Sequence, residues 1–309
     1  MIAVKDLKKS YAAFQALKGI SFDVPGGTVT GFLGPNGAGK TTTLRILSGF
    51  MPASEGTIEV AGFDVNTHSR EVRRRVGYLP EDVPLYRDMT VEGFLEYMGG
   101  LKEIPPTRLR SEVDRVVERT GLGTVRKRLI YKISRGYRQR TGVAMALLGD
   151  PPVLLLDEPT SGLDPNQVIE VRELIRDLSG ERTVLLSSHI LSEVAQICSQ
   201  VLIINQGKLV ASGTPEELSD RFGPGQGLLV RLGGILDPAL LENVPGVRDV
   251  TRGPAPGEWR LAVDHGDTVA PLVSRAILEG GGDLLELRQE ISDLEEVFRA
   301  VTREGDGDA

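Results

Sequence analysis

Apolar residues along residues 2–222 recur in two alternating rhythms. IAVKDL (2–7), ISFDV (20–24), TVTGFLG (28–34) and GTIEVAG (56–62) have the length and alternation of strands, the last two separated by a glycine-rich loop and a helix. Leu109, Val113, Val116 and Val117 recur at i, i+4, i+7 and i+8, one face of an amphipathic helix that Gly121 and Gly123 stop. After Asp150-Pro151-Pro152 the alternation resumes with strand VLLLD (153–157), a helix over 165–178, strand TVLLSS (183–188), a helix near 191–197 and strand VLIIN (201–205). Strands alternating with helices predict a parallel core sheet, and the helical block at about 88–150 reads as an inserted subdomain.

The pattern changes at FGPGQG (222–227), a glycine- and proline-rich loop that marks a boundary. Beyond it LLVRL (228–232), WRLAV (259–263) and LLELR (284–288) read as short strands, with helices near 268–279 and 292–303. In the second helix Leu294, Val297, Phe298 and Val301 share a face. The expectation is an α/β domain over 1–222 followed by a small α+β domain over 223–309 with a regulatory or dimerising role.

Charge sharpens that division. The chain carries a net charge of −7, and from Gly223 onward it has 8 Arg, no Lys and 16 acidic residues, so the acidity belongs to the second part. Nothing in this balance resembles a nucleic-acid-binding surface. The aliphatic runs are far too short to span a bilayer, and the first residues lack a stretch of signal-peptide length. With a single cysteine, Cys198, an internal disulfide is ruled out. A cytosolic protein is expected, with any membrane role exercised through a partner.

Three stretches carry chemistry. GPNGAGKT comprises Gly34, Pro35, Asn36, Gly37, Ala38, Gly39, Lys40 and Thr41, with Thr42 following. It fits G-x-x-x-x-G-K-[ST] between strand VTGFL and a helix. Glycines there let successive N–H groups turn inward around phosphates, and the helix adds its positive end. Lys40 is then set to reach the β- and γ-phosphates, and the Thr41 hydroxyl to hold Mg²⁺. VLLLDEP (153–159) delivers Asp157 to the sheet edge beside that loop as a magnesium ligand, with Glu158 facing the other way as a base for water. A helix-capping acidic pair is the alternative. SSHILSEV ends another strand with His189 at the edge where parallel sheets bind ligands, suited to a γ-phosphate or water contact; a purely structural histidine fits the same spacing.

In this order the pieces resemble the nucleotide-binding subunits of ABC transporters over about residues 1–222. Within KISRGYRQR (132–140), ISRGY stands where that family carries its signature, usually LSGGQ. Ser134 and Gly136 are kept, while Ile133, Arg135 and Tyr137 replace the Leu, the first Gly and the Gln. SGLD (161–164), ending in Asp164, matches the D-loop, and His189 the switch histidine. Tyr11 falls where an aromatic stacks on adenine, though a half-exposed strand tyrosine fits it too. In GYLPEDVPLY, Glu81 replaces the usual Q-loop glutamine as a candidate Mg²⁺ ligand; a solvated loop carboxylate is the alternative.

The resemblance implies an α/β P-loop NTPase (ABC ATPase) core with a helical subdomain, with ATP and Mg²⁺ as cofactors. It implies a head-to-tail homodimer in which Ser134 and the N–H groups around Gly136 bind the γ-phosphate in trans. It further implies an integral-membrane permease as partner, for export, and a peripheral place on the inner face of the cell membrane. The permease's coupling helix would enter a groove near Glu81–Tyr86, just after Arg70, Arg73, Arg74 and Arg75, a run that also suits a solvated helix face. PLYRDMTVEGFL and the signature resemble one branch of the family, associated with drug export, sodium efflux, gliding motility and copper-enzyme maturation. A soluble ABC ATPase of translation or DNA maintenance is the rival, opposed by the single phosphate loop and the lack of a long coiled-coil insertion. Since a glutamate oxygen still suits a hard cation, Glu81→Gln is expected to keep kcat within about tenfold, ~1.4 kcal/mol in barrier, as read by steady-state phosphate release.

Overall fold

A computed structural model of the chain describes residues 1–222, 226–233, 239–253, 255–264 and 266–290. Its contacts divide into two units, Met1–Ser212 and Gly213–Ala309.

The first unit holds two sheets. Strands β1 (Ile2–Tyr11), β2 (Phe14–Val24), β4 (Glu55–Val60) and β5 (Phe63–Asp64) form an antiparallel sheet in the order β2-β1-β4-β5. The β1–β2 hairpin is about twice as long as the runs IAVKDL and ISFDV suggest. Its outer half, KKSY against FQALKG, carries half-buried Lys8 and Lys9, exposed Lys18 and register shifts that blur the alternation.

The second sheet is built from β3 (Val29–Leu33), β6 (Val76–Leu79), β7 (Val153–Asp157), β8 (Thr183–Ser188), β9 (Gln200–Asn205) and β10 (Lys208–Gly213), in the order β10-β9-β3-β8-β7-β6. The pairs β9–β3, β3–β8, β8–β7 and β7–β6 are parallel, as the strand–helix alternation predicts. Every residue of β3, β7 and β8 is buried, which is why these strands read as continuous apolar runs. Helix α1 (Lys40–Leu47) shares one core with both sheets: Val4, Ile20 and Phe22 meet Leu44 and Leu47, and these meet Phe32, Leu155 and Leu185.

Helix α2 (Ser69–Arg75) precedes β6. Between β6 and β7 come α3 (Val91–Leu101), α4 (Pro106–Arg119) and α5 (Arg135–Leu147). On α4 the predicted stripe turns inward, with Val113, Val116 and Val117 buried and Leu109 half-buried. The C-terminal carbonyls of α5 are bonded from both neighbours, by Lys102 Nζ to Ala146 and Leu148 and by Arg115 to Leu147. Helices α3 and α4 therefore hold α5 at its C-terminal end, while Ser134 at its N-terminus is exposed. Helices α6 (Pro165–Arg176) and α7 (Leu191–Ile197) follow β7 and β8.

The chain passes to the second unit at Gly213, ten residues before Gly223, where the sequence suggests the second domain begins. A capping box follows directly: Thr214 Oγ1 accepts the Glu217 N–H at 3.1 Å, and Glu217 Oε2 accepts the Thr214 N–H at 2.9 Å. This opens α8 (Pro215–Phe222). Then come β11 (Gln226–Gly233), α9 (Ala239–Glu242), β12 (Val247–Arg252), β13 (Glu258–Val263), α10 (Gly266–Glu279) and β14 (Asp283–Glu290). The sheet order is β12-β13-β11-β14 with antiparallel neighbours. This is the βαββαβ arrangement of ferredoxin-like folds, with a core of Leu228, Val230, Leu261, Val273 and Ile277. The α+β class agrees with the sequence, whereas the helix expected over 292–303 lies outside the described residues.

Candidate nucleotide site

Because β3 ends at Leu33 and α1 starts at Lys40, residues 34–39 reverse the chain at the C-terminal edge of the parallel sheet. Gly39 caps α1 at φ 114°, and a Cβ there would lie 2.7 Å from Leu17 Cδ2. Only glycine meets both demands. Lys40 is 6% exposed and folds back over the loop, its Nζ donating to the Gly34 carbonyl at 2.6 Å and the Pro35 carbonyl at 3.3 Å.

Strand β7 brings up the carboxylates. Asp157 lies opposite Ser187 of β8, whose hydroxyl donates to Asp157 Oδ1 at 2.6 Å and accepts the Glu158 N–H at 2.9 Å. Burial pushes the Asp157 carboxyl up, against hydrogen bonds from Ser187 and Thr41 that pull it down. Its Oδ2 is buried with no hydrogen-bond partner. Glu158 leaves the strand at φ 47°. Its Oε1 stands 3.3 Å from Lys40 Nζ, and its Oε2 2.8 Å from His189 Nδ1. The Lys40 ammonium and the His189 ring thus meet at one carboxylate, that of Glu158.

These groups line a cleft of ≈ 480 Å³, which also takes in Asn36, Thr41, Thr42, Tyr11 and Glu81. Two further residues were not foreseen. Phe14, 64% exposed, pairs with Tyr11 across the hairpin tip and adds a second aromatic to the wall. Ser187 locks the Asp157–Glu158 corner. Its signal in the sequence is the break from apolar to polar in TVLLSS, just before His189.

Thr41, Asp157 and Glu81 offer oxygen donors of the kind Mg²⁺ prefers. The orphaned Asp157 Oδ2 suits such a cation. Among the described residues no three His, Cys, Asp or Glu side chains gather into a cage, so a cation here would draw its remaining ligands from phosphates and water.

Ser134, Gly136 and Asp164 do not line this cleft. Ser134 N-caps α5, its Oγ accepting the Tyr137 N–H at 3.3 Å, and is exposed. Asp164 N-caps α6, its Oδ1 accepting the Gln167 N–H at 3.0 Å.

A glycine-bearing turn between strand and helix, a buried lysine folded over it and a buried glutamate against that lysine together suit the splitting of a nucleoside triphosphate. On this geometry the class is a P-loop ATPase. The ABC transporter family profile matches residues 17–161. The chain is 31% identical to linearmycin resistance ATP-binding protein LnrL of Bacillus subtilis (strain 168), over 98% of both chains. It is 34% identical to daunorubicin resistance ATP-binding protein DrrA3 of Streptomyces coeruleorubidus, over 97% of this chain and 95% of that one. The solved structure of cbiO1 from Clostridium perfringens, part of the ABC transporter complex cbiONQ, superposes with a TM-score of 0.64 at 28% identity, covering 71% of this chain and 90% of that one. The chain belongs to the ATP-binding subunits of ABC transporters.

Proposed function

We propose that two copies of this chain close around two ATP molecules and so drive a separate membrane-spanning permease in export. One observation carries this: the phosphate-binding groups are split within the chain. Lys40, Glu158 and His189 meet at the cleft, with Asp157 buried next to Glu158 at the end of β7, while the Ser134 end of α5 stands outside it. A two-fold pairing brings each α5 N-terminus over the other's cleft, where the N–H groups around Gly136 meet the γ-phosphate. Asp164 belongs to the same dimer face, and Tyr11 with Phe14 takes the adenine.

On binding, the Lys40 ammonium exchanges the Gly34 and Pro35 carbonyls for β- and γ-phosphate oxygens. Glu158, steadied by His189, then takes a proton from the water attacking in line with the leaving oxygen. Mg²⁺, held by Thr41 and Asp157 with Glu81 at the rim, would neutralise charge developing between the β- and γ-phosphates.

The permease surface follows Glu81. Tyr86 packs its ring 6.1 Å from Phe94 and edge-on at 5.5 Å to Tyr97, and both tyrosines are about half exposed. Exposed aromatics of this kind anchor helices at interfaces. Among the described residues no helix is long and apolar enough to cross a membrane. A place at the inner face of the membrane follows from the proposed permease partner. The resistance named for LnrL and DrrA3 supports export.

Co-expression with a candidate membrane-spanning permease, followed by detergent purification, tests the reading. The two are expected to co-purify, and Tyr97→Ala to reduce recovery about tenfold, the loss of one aromatic anchor. Recovery of ribosomes or DNA in place of a polytopic protein would overturn the reading.

A further inference from the structure

Helix α5 is tied to α6 and to the turn before it by three contacts. Arg135 Nη2 donates to the Ser161 carbonyl at 3.2 Å. Gly136 lies under Gln167, whose Oε1 would stand 2.5 Å from any Cβ added there. One turn further along, Arg140 pairs with Glu170. The Arg135 contact is the telling one. Gly162, at φ 65°, carries the guanidinium directly over it, with Nη2 only 2.2 Å from where a Cβ would be. Ser161 lines the cleft, and its N–H returns to the Glu158 carbonyl at 3.0 Å. Arg135 therefore grips a short turn whose first residue is the water-activating glutamate.

That position is not one a cation takes for its own sake. Arg135 is exposed in the first turn of α5, where the helix dipole opposes positive charge and no acidic residue offsets it. Among the described residues no carboxylate lies within ion-pair distance of it; the Ser161 carbonyl is its partner.

We propose that Arg135 is a positioning residue that links the two clefts of the dimer. The proposal rests on the sandwich arrangement argued above. There the Ser134–Gly136 turn of one copy sits on the nucleotide of the other, while the same chain's Glu158 serves its own cleft. Arg135 joins those two places within one chain. When the turn seats on a γ-phosphate, the guanidinium carries the Ser161–Gly162 turn with it, and Glu158 is set against its water. Nucleotide in one cleft is thereby felt at the carboxylate of the other.

The test uses the full chain and MgATP. Arg135→Ala is expected to lower kcat about tenfold, to leave the KM for ATP within about twofold and to bring the Hill coefficient from near 2, the number of sites, toward 1. Arg135→Lys still donates to the carbonyl and is expected to restore at least about half the rate. Light scattering of Glu158→Gln with ATP, which accumulates the ATP-bound form, reads the dimer separately. If that variant stays monomeric, the sandwich reading falls and this proposal with it. If it dimerises while Arg135→Ala keeps the kcat and Hill coefficient of the native chain, this proposal alone falls. It falls too if Arg135→Ala abolishes the ATP-dependent dimer of Glu158→Gln, which would place the guanidinium on the nucleotide itself.

Discussion

Glu158→Gln is expected to cut kcat for ATP hydrolysis by about 10²- to 10⁴-fold, the contribution of a positioned general base, while ATP still binds. The geometry separates the two effects. Binding draws on the loop and Lys40, whereas the carboxylate's part is to accept a proton. Its two oxygens face Lys40 Nζ at 3.3 Å and His189 Nδ1 at 2.8 Å, and an amide of the same shape keeps an acceptor and a donor there. The fold is thus preserved and the base is lost. Single-turnover phosphate release with equilibrium ATP binding on the same preparation measures both quantities. Retention of kcat within threefold would assign proton transfer to another group, with His189, on the same edge, the first to examine.

The expectation was open to a reader of the sequence because of how buried parallel strands are written. VLLLD has no polar residue until its end, so the carboxylates that close it can only emerge at the sheet edge, and GPNGAGKT turns at the same edge. Features depending on partners distant in the chain were harder to see. Ser187 is an ordinary polar strand end until β8 is paired with β7 in the register that sets it opposite Asp157. Phe14 is an exposed aromatic until the hairpin tip brings it beside Tyr11. In the second unit VRDVTR carries three charges in six residues, as an edge strand can, and its alternation is lost among them; without β12 the ferredoxin-like order is invisible. The boundary at Gly213 was hidden for another reason. Thr214 and Glu217 read as the start of one more helix of the same domain, because a capping box marks where a helix begins and not which core it joins.

Lys40→Ala is expected to abolish ATP hydrolysis and also to destabilise the nucleotide-free protein by about 3 kcal/mol, the lower end of what stripping one partner from a buried ion pair costs. The second effect is the less obvious one. Side chains of Lys40 and Glu158 are 6% and 8% exposed, so removing the ammonium leaves a carboxylate largely out of water with only His189 beside it. The carbonyls of Gly34 and Pro35 lose their donor as well. Adding Glu158→Gln to Lys40→Ala should then recover much of the lost stability, since a neutral amide tolerates the site where a lone carboxylate does not, while activity stays absent. Urea melts of the native chain, both single variants and the double variant, at equal m, close the cycle. A Lys40→Ala midpoint matching the native one would mean that Glu158 turns to solvent once its partner is gone. The tight lysine–glutamate pairing would then be no constraint on where the base waits for its substrate.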